Sequence, residues 1–492
     1  MQGYILNMDL AIHLDRASTI PLYRQLIEEI RQGVLSGKLK PNQKLPSSRS
    51  LAQSLTISRS TVTQSYEQLE SEGYLETRRS SGTYVCQKIP DDWLRSTAIA
   101  PVTNKTIAKN LPLSRFGTNL TSIGSLQGDE PDREISFRYG NPAVEYFPMQ
   151  QWRKLLARHH DCTLLNYTAD SAGYLPLREE IASYLQRSRA VRCTSERVII
   201  INGSQQALDL IARLVLNPED WVAMEDPGYL GARYCFKGQF ANIQPIPVNS
   251  EGLDVEALSN CSQQFKLVYI TPSHQFPSGA TLSLSRRIAL LQWAEKTDTL
   301  IIEDDYDSEY RYGAQPIPAL QGMDRSESVI YIGTFSKILF PALRIGYLVV
   351  PSSWIPVIRK AKWLCDRFCP ILEQHALTDW IKLGHFERHI RRMRQLYDSR
   401  RQALVAALKR HFKQRVTIIG ENAGIHVMVK IQTALPDEVV IAKAAAVGVG
   451  LVSARQYYLK LPSQGEFIFG YAQLDEIQIE QGVIRLSQVI KN

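Results

Sequence analysis

Along the first part of the chain the apolar positions change period in a definite order. Leu22, Leu26, Ile30 and Val34 recur at helical spacing behind Pro21, a residue suited to a helix start, and Gly37 stops the run. A second helix is expected behind Pro46-Ser47-Ser48, where a serine can cap the segment carrying Leu51, Ala52 and Leu55. Ser58 or Ser60 can cap a third, whose apolar face is Val62, Tyr66 and Leu69 and which ends before Gly73. Period two then takes over, because residues 74–77 and 82–85 alternate like paired strands around the basic tip Arg78-Arg79-Ser80-Ser81. The order is helix, helix, helix, hairpin.

From about 86 to 133 the chain is rich in Pro, Thr, Ser, Asn and Asp, which reads as an interdomain linker with a short helical piece. Beyond Ile135, β-branched runs at 198–201, 221–224, 267–270, 300–302, 329–332 and 345–350 alternate with helical stretches. Short continuous runs of this kind are how strands buried on both faces of a mostly parallel sheet look. Residues from about 360 to 492 begin with charged helices around 388–401 and end with strand-like 425–429 and 467–471, a smaller α+β subdomain. The expected architecture is α/β and multidomain: a helix-and-hairpin head at 19–86, a linker at 87–133 and a large domain at 134–492.

A chain of 492 residues holds two or three domains, and 44% apolar with 22% charged residues is the make-up of a globular protein. The formal charge of +8 permits a polyanionic partner without requiring one. No apolar run is long enough for a bilayer and no leader pattern opens the chain, so a cytoplasmic, non-membrane protein is expected. Seven cysteines without a CxxC pair indicate neither a disulfide framework nor a zinc ribbon, and Cys365 and Cys369 read as small buried residues. His385-Phe-Glu-Arg-His389 lacks the glutamate position of a metalloprotease helix, so it reads as a solvated or packed helix among Arg388, Arg391, Arg392 and Arg394. No metal is assigned.

Two groups of residues carry chemistry. In the head, Arg59, Ser60, Thr61 and Thr63 present short hydroxyls and a guanidinium suited to a major groove, with Arg49 near the backbone and Gly82 in the hairpin. The plain alternative is a protein-binding helical bundle, and nine Lys/Arg against six Asp/Glu over 21–85 does not exclude it. In the large domain, Ser204 and Gln205 open a helix after a strand, as an anion site does, and Asp226-Pro-Gly-Tyr229 offers a ring. Asp304 and Tyr306 emerge at one strand's carboxyl end, where open α/β sheets place ligands, and Gly333-Thr-Phe-Ser-Lys337 brings a lysine to another, with Arg344 following. Each signal is weak alone; their order is what argues against chance.

Residues 20–85 resemble the GntR-type winged helix, through Ile-Pro-Leu-Tyr-Arg-Gln-Leu (20–26), Leu-Pro-Ser-Ser-Arg-Ser-Leu-Ala (45–52), Ser-Arg-Ser-Thr-Val (58–62) and Ser-Gly-Thr-Tyr-Val (81–85). That resemblance aligns Arg49, Arg59, Ser60, Thr61 and Thr63 with DNA-contacting positions and Gly82 with the wing. Residues 135–492 resemble fold-type I pyridoxal-phosphate (PLP) enzymes, the aspartate aminotransferase superfamily. The resemblance implies PLP as cofactor, Lys337 as its Schiff-base lysine, Asp304 on the pyridine nitrogen, Tyr306 on the ring oxygen and Tyr229 stacked on the ring. Ser204, Gln205, Thr334, Ser336 and Arg344 would surround the phosphate, and Tyr167 would reach the partner's phosphate in a homodimer. The combination is similar to MocR/GabR-type regulators, which Thr271-Pro-Ser-His-Gln-Phe-Pro-Ser-Gly279 and Glu303-Asp-Asp-Tyr-Asp-Ser-Glu-Tyr-Arg-Tyr312 also resemble.

Two departures from working aminotransferases stand out. Phe276 replaces the usual asparagine, which makes His274 a candidate for the ring oxygen. The late strand Phe467-Ile-Phe-Gly-Tyr471 carries no carboxylate-binding arginine, which makes Arg455 a candidate effector residue. The expected function is a transcription regulator sensing PLP, an amine or an amino acid, with partial rather than sustained transamination. A working aminotransferase with an accessory DNA-binding domain is the alternative, and a sensor of PLP itself governing vitamin B6 supply is a third.

Overall fold

The computed structural model describes residues 12–78, 81–88, 112–121, 133–159, 170–313, 317–460 and 464–490. The chain forms two compact units, Met1–Pro112 and Leu113–Asn492.

The first unit holds the helices Leu22–Leu35, Ser48–Leu55 and Arg59–Ser71 and the antiparallel hairpin Leu75–Arg78 with Gly82–Val85. Ser47 Oγ accepts from the Ser50 backbone N–H at 3.2 Å, and Ser58 Oγ accepts from Thr61 N–H at 3.1 Å. Each cap satisfies a helix-end donor, worth about 1 kcal/mol. Thr56, at φ 55, ends the second helix in the left-handed region so that the third can turn away. Leu26, Ile30, Leu51, Val62, Tyr66, Leu69 and Val85 close one small core, and Tyr66 donates its hydroxyl to Pro46 O at 3.0 Å. The hairpin tip at 79–80 lies outside the described residues.

The second unit is organised by a sheet whose strands lie in the order Val198–Ile201, Gly346–Val349, Val329–Thr334, Leu300–Asp305, Phe265–Ile270, Trp221–Asp226, Asn242–Asn249 and Gly252–Leu253. The run from Val329–Thr334 to Asn242–Asn249 is parallel, and Gly346–Val349 runs against both its neighbours. This is the fold-type I aminotransferase architecture. All six expected runs are strands. Asn242–Asn249 was invisible to pattern reading because two prolines interrupt it; its one long neighbour is Trp221–Asp226, so the missing N–H groups are tolerated near the sheet's margin.

A second sheet, antiparallel, orders Val416–Ile419, His426–Ile431, Glu466–Gly470 and Val452–Ser453 under the helices Asp437–Ala446 and Glu476–Val489. Two features differ from the expected subdomain at 360–492. The helix Ile371–Lys382 buries Ala376, Leu377 and Trp380 in the core of the large sheet, and Phe386 and Ile390 of helix His385–Phe412 join them. At the other end Ile135–Ser136 pairs in parallel with Val449–Gly450, and Phe137 packs 5.0 Å from Phe469, so these early residues belong to the late subdomain. Cys369 is buried but Cys365 is exposed near the end of helix Ile355–Asp366, against the expectation that both pack inside. Among the described residues no helix is long and apolar enough to cross a membrane.

Candidate functional site: a cofactor pocket and a nucleic-acid face

In the winged-helix unit Arg49, Arg59 and Ser60 are exposed, and Thr61 and Thr63 are half-buried on the same helix start. The Ser60 and Thr61 hydroxyls each stand 2.8 Å from Ser58 Oγ, and Arg59 Nε donates to Ser48 Oγ at 3.4 Å. Gly82, at φ 114, opens the second strand of the hairpin, and a Cβ there would come 3.1 Å from the Lys44 side chain. Sequence reading passed over Lys44, whose place beside the wing is set by the bridge from Lys44 to Tyr84. It also did not foresee that the Arg78 guanidinium lies 4.5 Å over the Tyr84 ring.

In the second unit the strand ends converge on a cavity of about 180 Å³. Ser204, Gln205, Tyr229, Asp304, Tyr306, Thr334, Ser336, Lys337 and Arg344 all line it, so nine of the expected positions meet in one place. Lys337 Nζ donates to Gly140 O at 2.6 Å, and burial pulls its proton affinity below the usual lysine range. Asp304 Oδ2 accepts from the Tyr269 hydroxyl at 2.8 Å, while Oδ1 is buried without a partner among the described residues. Burial raises the Asp304 carboxyl to about 7, against the lowering effect of Tyr269. Gly203, at φ 95, opens the helix Ser204–Val215, and a Cβ on it would meet the Arg344 guanidinium at 3.1 Å. Arg344 Nη2 donates to Asn202 O at 2.6 Å, and among the described residues the buried Ser336 Oγ has no partner.

His274 stands behind Tyr306 rather than in the lining, which corrects the expectation that it replaces the missing asparagine directly. Its Nδ1 lies 2.9 and 3.0 Å from the two Asp307 oxygens and 3.1 Å from the Tyr306 hydroxyl. Because a carboxylate only accepts, Nδ1 carries the proton and shares it, leaving the Tyr306 O–H free to donate into the cavity. A Cβ on Gly424 would come 2.0 Å from His274 Cε1, so the loop at 424 needs glycine to admit the imidazole. Phe276 lines the cavity edge-on to Tyr306, their centroids 6.2 Å apart. Arg455 is placed elsewhere: it faces Glu438 at 3.7 Å on a separate surface cavity with Asp437 and Lys460. The strand Glu466–Gly470 supplies no cation to the cofactor cavity. Tyr167 falls outside the described residues. Tyr139, Gly140, Tyr269 and His426 line the cavity without having been foreseen; only the turn-like Tyr139-Gly-Asn-Pro142 was a usable signal.

The residues fit PLP on observations of this fold. The orphaned Asp304 oxygen suits a pyridine N–H, the unpartnered Ser336 hydroxyl beside Arg344 and a helix start suits a phosphate, and Tyr229 supplies a ring wall.

Comparison with known proteins agrees. Residues 22–85 match the model of bacterial regulatory proteins of the gntR family, and residues 134–486 match aminotransferase class I and II. The chain is 38% identical to the probable rhizopine catabolism regulatory protein MocR of Rhizobium meliloti, over 96% of this chain and 94% of that one. It is 29% identical to the pyridoxine biosynthesis transcriptional regulator PdxR of Corynebacterium glutamicum, over 98% and 99%. Among solved structures, the alpha-aminoadipate aminotransferase LysN of Thermus thermophilus superposes with a TM-score of 0.67 at 30% identity, covering 72% of this chain and 92% of that one. Fold and site together define an HTH-type, DNA-binding transcription regulator built on a PLP-binding, aminotransferase-like domain. The chain belongs to the MocR-type regulators of the gntR family.

Proposed function

We propose that this protein is a cytoplasmic, homodimeric regulator that reads an operator through Arg49, Arg59, Ser60, Thr61, Thr63 and the Gly82 wing, and senses PLP, an amine or an amino acid at Lys337. In this reading residues 19–86 are the head, 87–133 the linker and 134–492 the sensor. The observation that carries it is the pairing, in one pocket, of a deprotonation-prone Lys337 amine with the orphaned oxygen of Asp304, on a chain that also holds a capped, exposed recognition helix. Bound PLP supplies an aldehyde that condenses with amines and a ring that withdraws electrons. Lys337 presents its nitrogen for that linkage. Asp304 holds a proton on the pyridine nitrogen, and Tyr306, oriented by His274, donates to the ring oxygen. Thr334, Ser336, Arg344 and the first N–H groups of the Ser204 helix would bind the phosphate, with Gln205 beside them, and the family resemblance assigns Tyr167 to the partner's phosphate.

The name of PdxR favours a signal linked to vitamin B6, whereas that of MocR favours a catabolic amine. Footprinting of the DNA upstream of its own gene, with and without PLP and candidate amines, separates these. A footprint indifferent to every such ligand would reject the sensor. The aminotransferase reading draws support from the complete lysine, acid and phosphate set, and steady turnover with an amino donor and a keto acid would establish it.

A further inference from the structure

The motif His385-Phe-Glu-Arg-His389 has no part in the cofactor pocket, yet it builds a cavity of about 260 Å³, lined by Gln151, Trp380, His385, Arg388, His389 and Arg392 beside Pro148. The last four polar positions fall at i, i+3, i+4 and i+7, so they share one face of the helix His385–Phe412. None of the described residues lining the cavity is a carboxylate. The nearby acids are engaged elsewhere: Asp379 pairs with His159 at 3.0 Å, and Glu387 faces Arg187 at 3.6 Å. Arg388 Nη2 donates to Leu383 O and His385 Nδ1, both at 2.9 Å, and Arg392 Nη2 donates to Tyr146 O; among the described residues their other N–H groups have no protein acceptor.

Among the described residues two buried nitrogens of the lining have no hydrogen-bond partner, Trp380 Nε1 and His389 Nδ1, in side chains 0% and 4% exposed. Such atoms are rare in folded proteins and mark a place where a partner belongs. His389 Nε2–H donates to Ile338 O at 3.0 Å, which leaves Nδ1 as a bare acceptor. Burial holds this imidazole neutral, its proton affinity pulled down to about 4. The occupant must therefore accept hydrogen bonds from guanidinium and indole N–H groups while bringing one proton of its own.

We propose that this cavity is a second ligand site, for a hydrogen phosphate group, free or at the end of a small monoester. At about 260 Å³ the cavity has room for a tetrahedral anion and for the small group a monoester would carry. Arginine forks match phosphate oxygens, Trp380 N–H adds a neutral donor, and the P–O–H donates to His389 Nδ1. His389 also holds Ile338, the residue after Lys337, so the anion sits against the far side of the loop that carries the cofactor lysine.

The test is calorimetric titration of inorganic phosphate into the full-length, PLP-loaded protein, whose cofactor phosphate site is filled. Saturable binding is expected, weakened about tenfold or more by the double variant Arg388→Ala/Arg392→Ala and unchanged by Arg410→Ala, whose guanidinium pairs with Glu480 farther along the same helix. Trp380→Phe, which keeps a ring and removes the donor, should weaken it several-fold. Sulfate, which carries no proton at neutral pH, should bind less tightly. Absence of saturable binding, equal binding by the double variant, or sulfate binding as tightly as phosphate would each overturn the assignment.

Discussion

Tyr269 donates its hydroxyl to Asp304 Oδ2 at 2.8 Å, and this one bond leaves the other carboxylate oxygen buried and unpaired. A carboxyl raised to about 7 in the fold, against roughly 3.9 when unfolded, keeps its proton while the unfolded chain loses it. The unfolded state then binds fewer protons, so the cofactor-free protein loses stability as pH rises from about 4 to about 7, and the loss is complete above that. Asp304→Asn cannot ionise. Its melting temperature relative to the unsubstituted protein should therefore climb across that window and level off, measured without PLP. Glu309, also raised to about 7, gives both proteins a shared slope that the comparison removes. A flat difference between the two proteins would show that Asp304 is ionised throughout.

Lys337→Ala should remove the visible absorption of the PLP-loaded protein and its borohydride-reducible link to the cofactor, because no amine remains to condense. A reducible adduct persisting in that variant would place the linkage on another lysine.

Asp307→Asn should weaken PLP binding about 5–30-fold, the effect of one to two kcal/mol. The amide can present N–H to His274 Nδ1 and so disturb the tautomer that leaves the Tyr306 proton free. The same loss in Tyr306→Phe, with no further loss in the double variant, is the expected signature of one connected unit. Additive losses in the double variant would separate the two residues.

Arg59→Ala should cost about 1–3 kcal/mol of specific operator binding if its guanidinium reads a guanine, and should leave the cofactor spectrum untouched. Operator and scrambled DNA titrated side by side decide it: equal losses on both would make Arg59 a phosphate contact.

Amines and amino acids should alter the cofactor spectrum, yet sustained transamination should be slow. Phe276 lines the cavity where an asparagine is usual, and Glu466–Gly470 brings it no cation. Continuous formation of keto acid over many turnovers, at ordinary enzyme rates of ~1–1,000 per second, would refute this.

The strands were legible in the sequence because both faces of the large sheet are covered, so apolar runs such as 198–201 needed no alternation to be recognised. The chemistry at their ends was legible for the same reason: Asp304 and Lys337 interrupt apolar runs at the point where a ligand crevice opens. Tyr269 and Gly140 were not, because an aromatic inside an apolar strand and a backbone carbonyl carry no pattern of their own. Sequence proximity to Phe276 points His274 at the ring oxygen and does not report that Asp307, thirty-three residues on, holds its imidazole behind Tyr306. Arg455 failed for want of depth: no pattern told an arginine beside Glu438 on the surface from one facing the cofactor.

The stretch leading into the second unit is moored twice. Helix Arg115–Thr121 is tied to the large-sheet side, where Asn119 Nδ2 donates to Lys237 O at 2.7 Å and Arg115 lies 4.7 Å over Phe240. Fourteen residues beyond its last residue, Ile135–Ser136 is woven into the late subdomain beside Val449–Gly450. The chain is thus held on both sides, once at the large sheet and once at the late subdomain. Rotation of the late subdomain against the large sheet would therefore alter the separation of Asn119 from Ile135, so these two contacts register the position of one against the other.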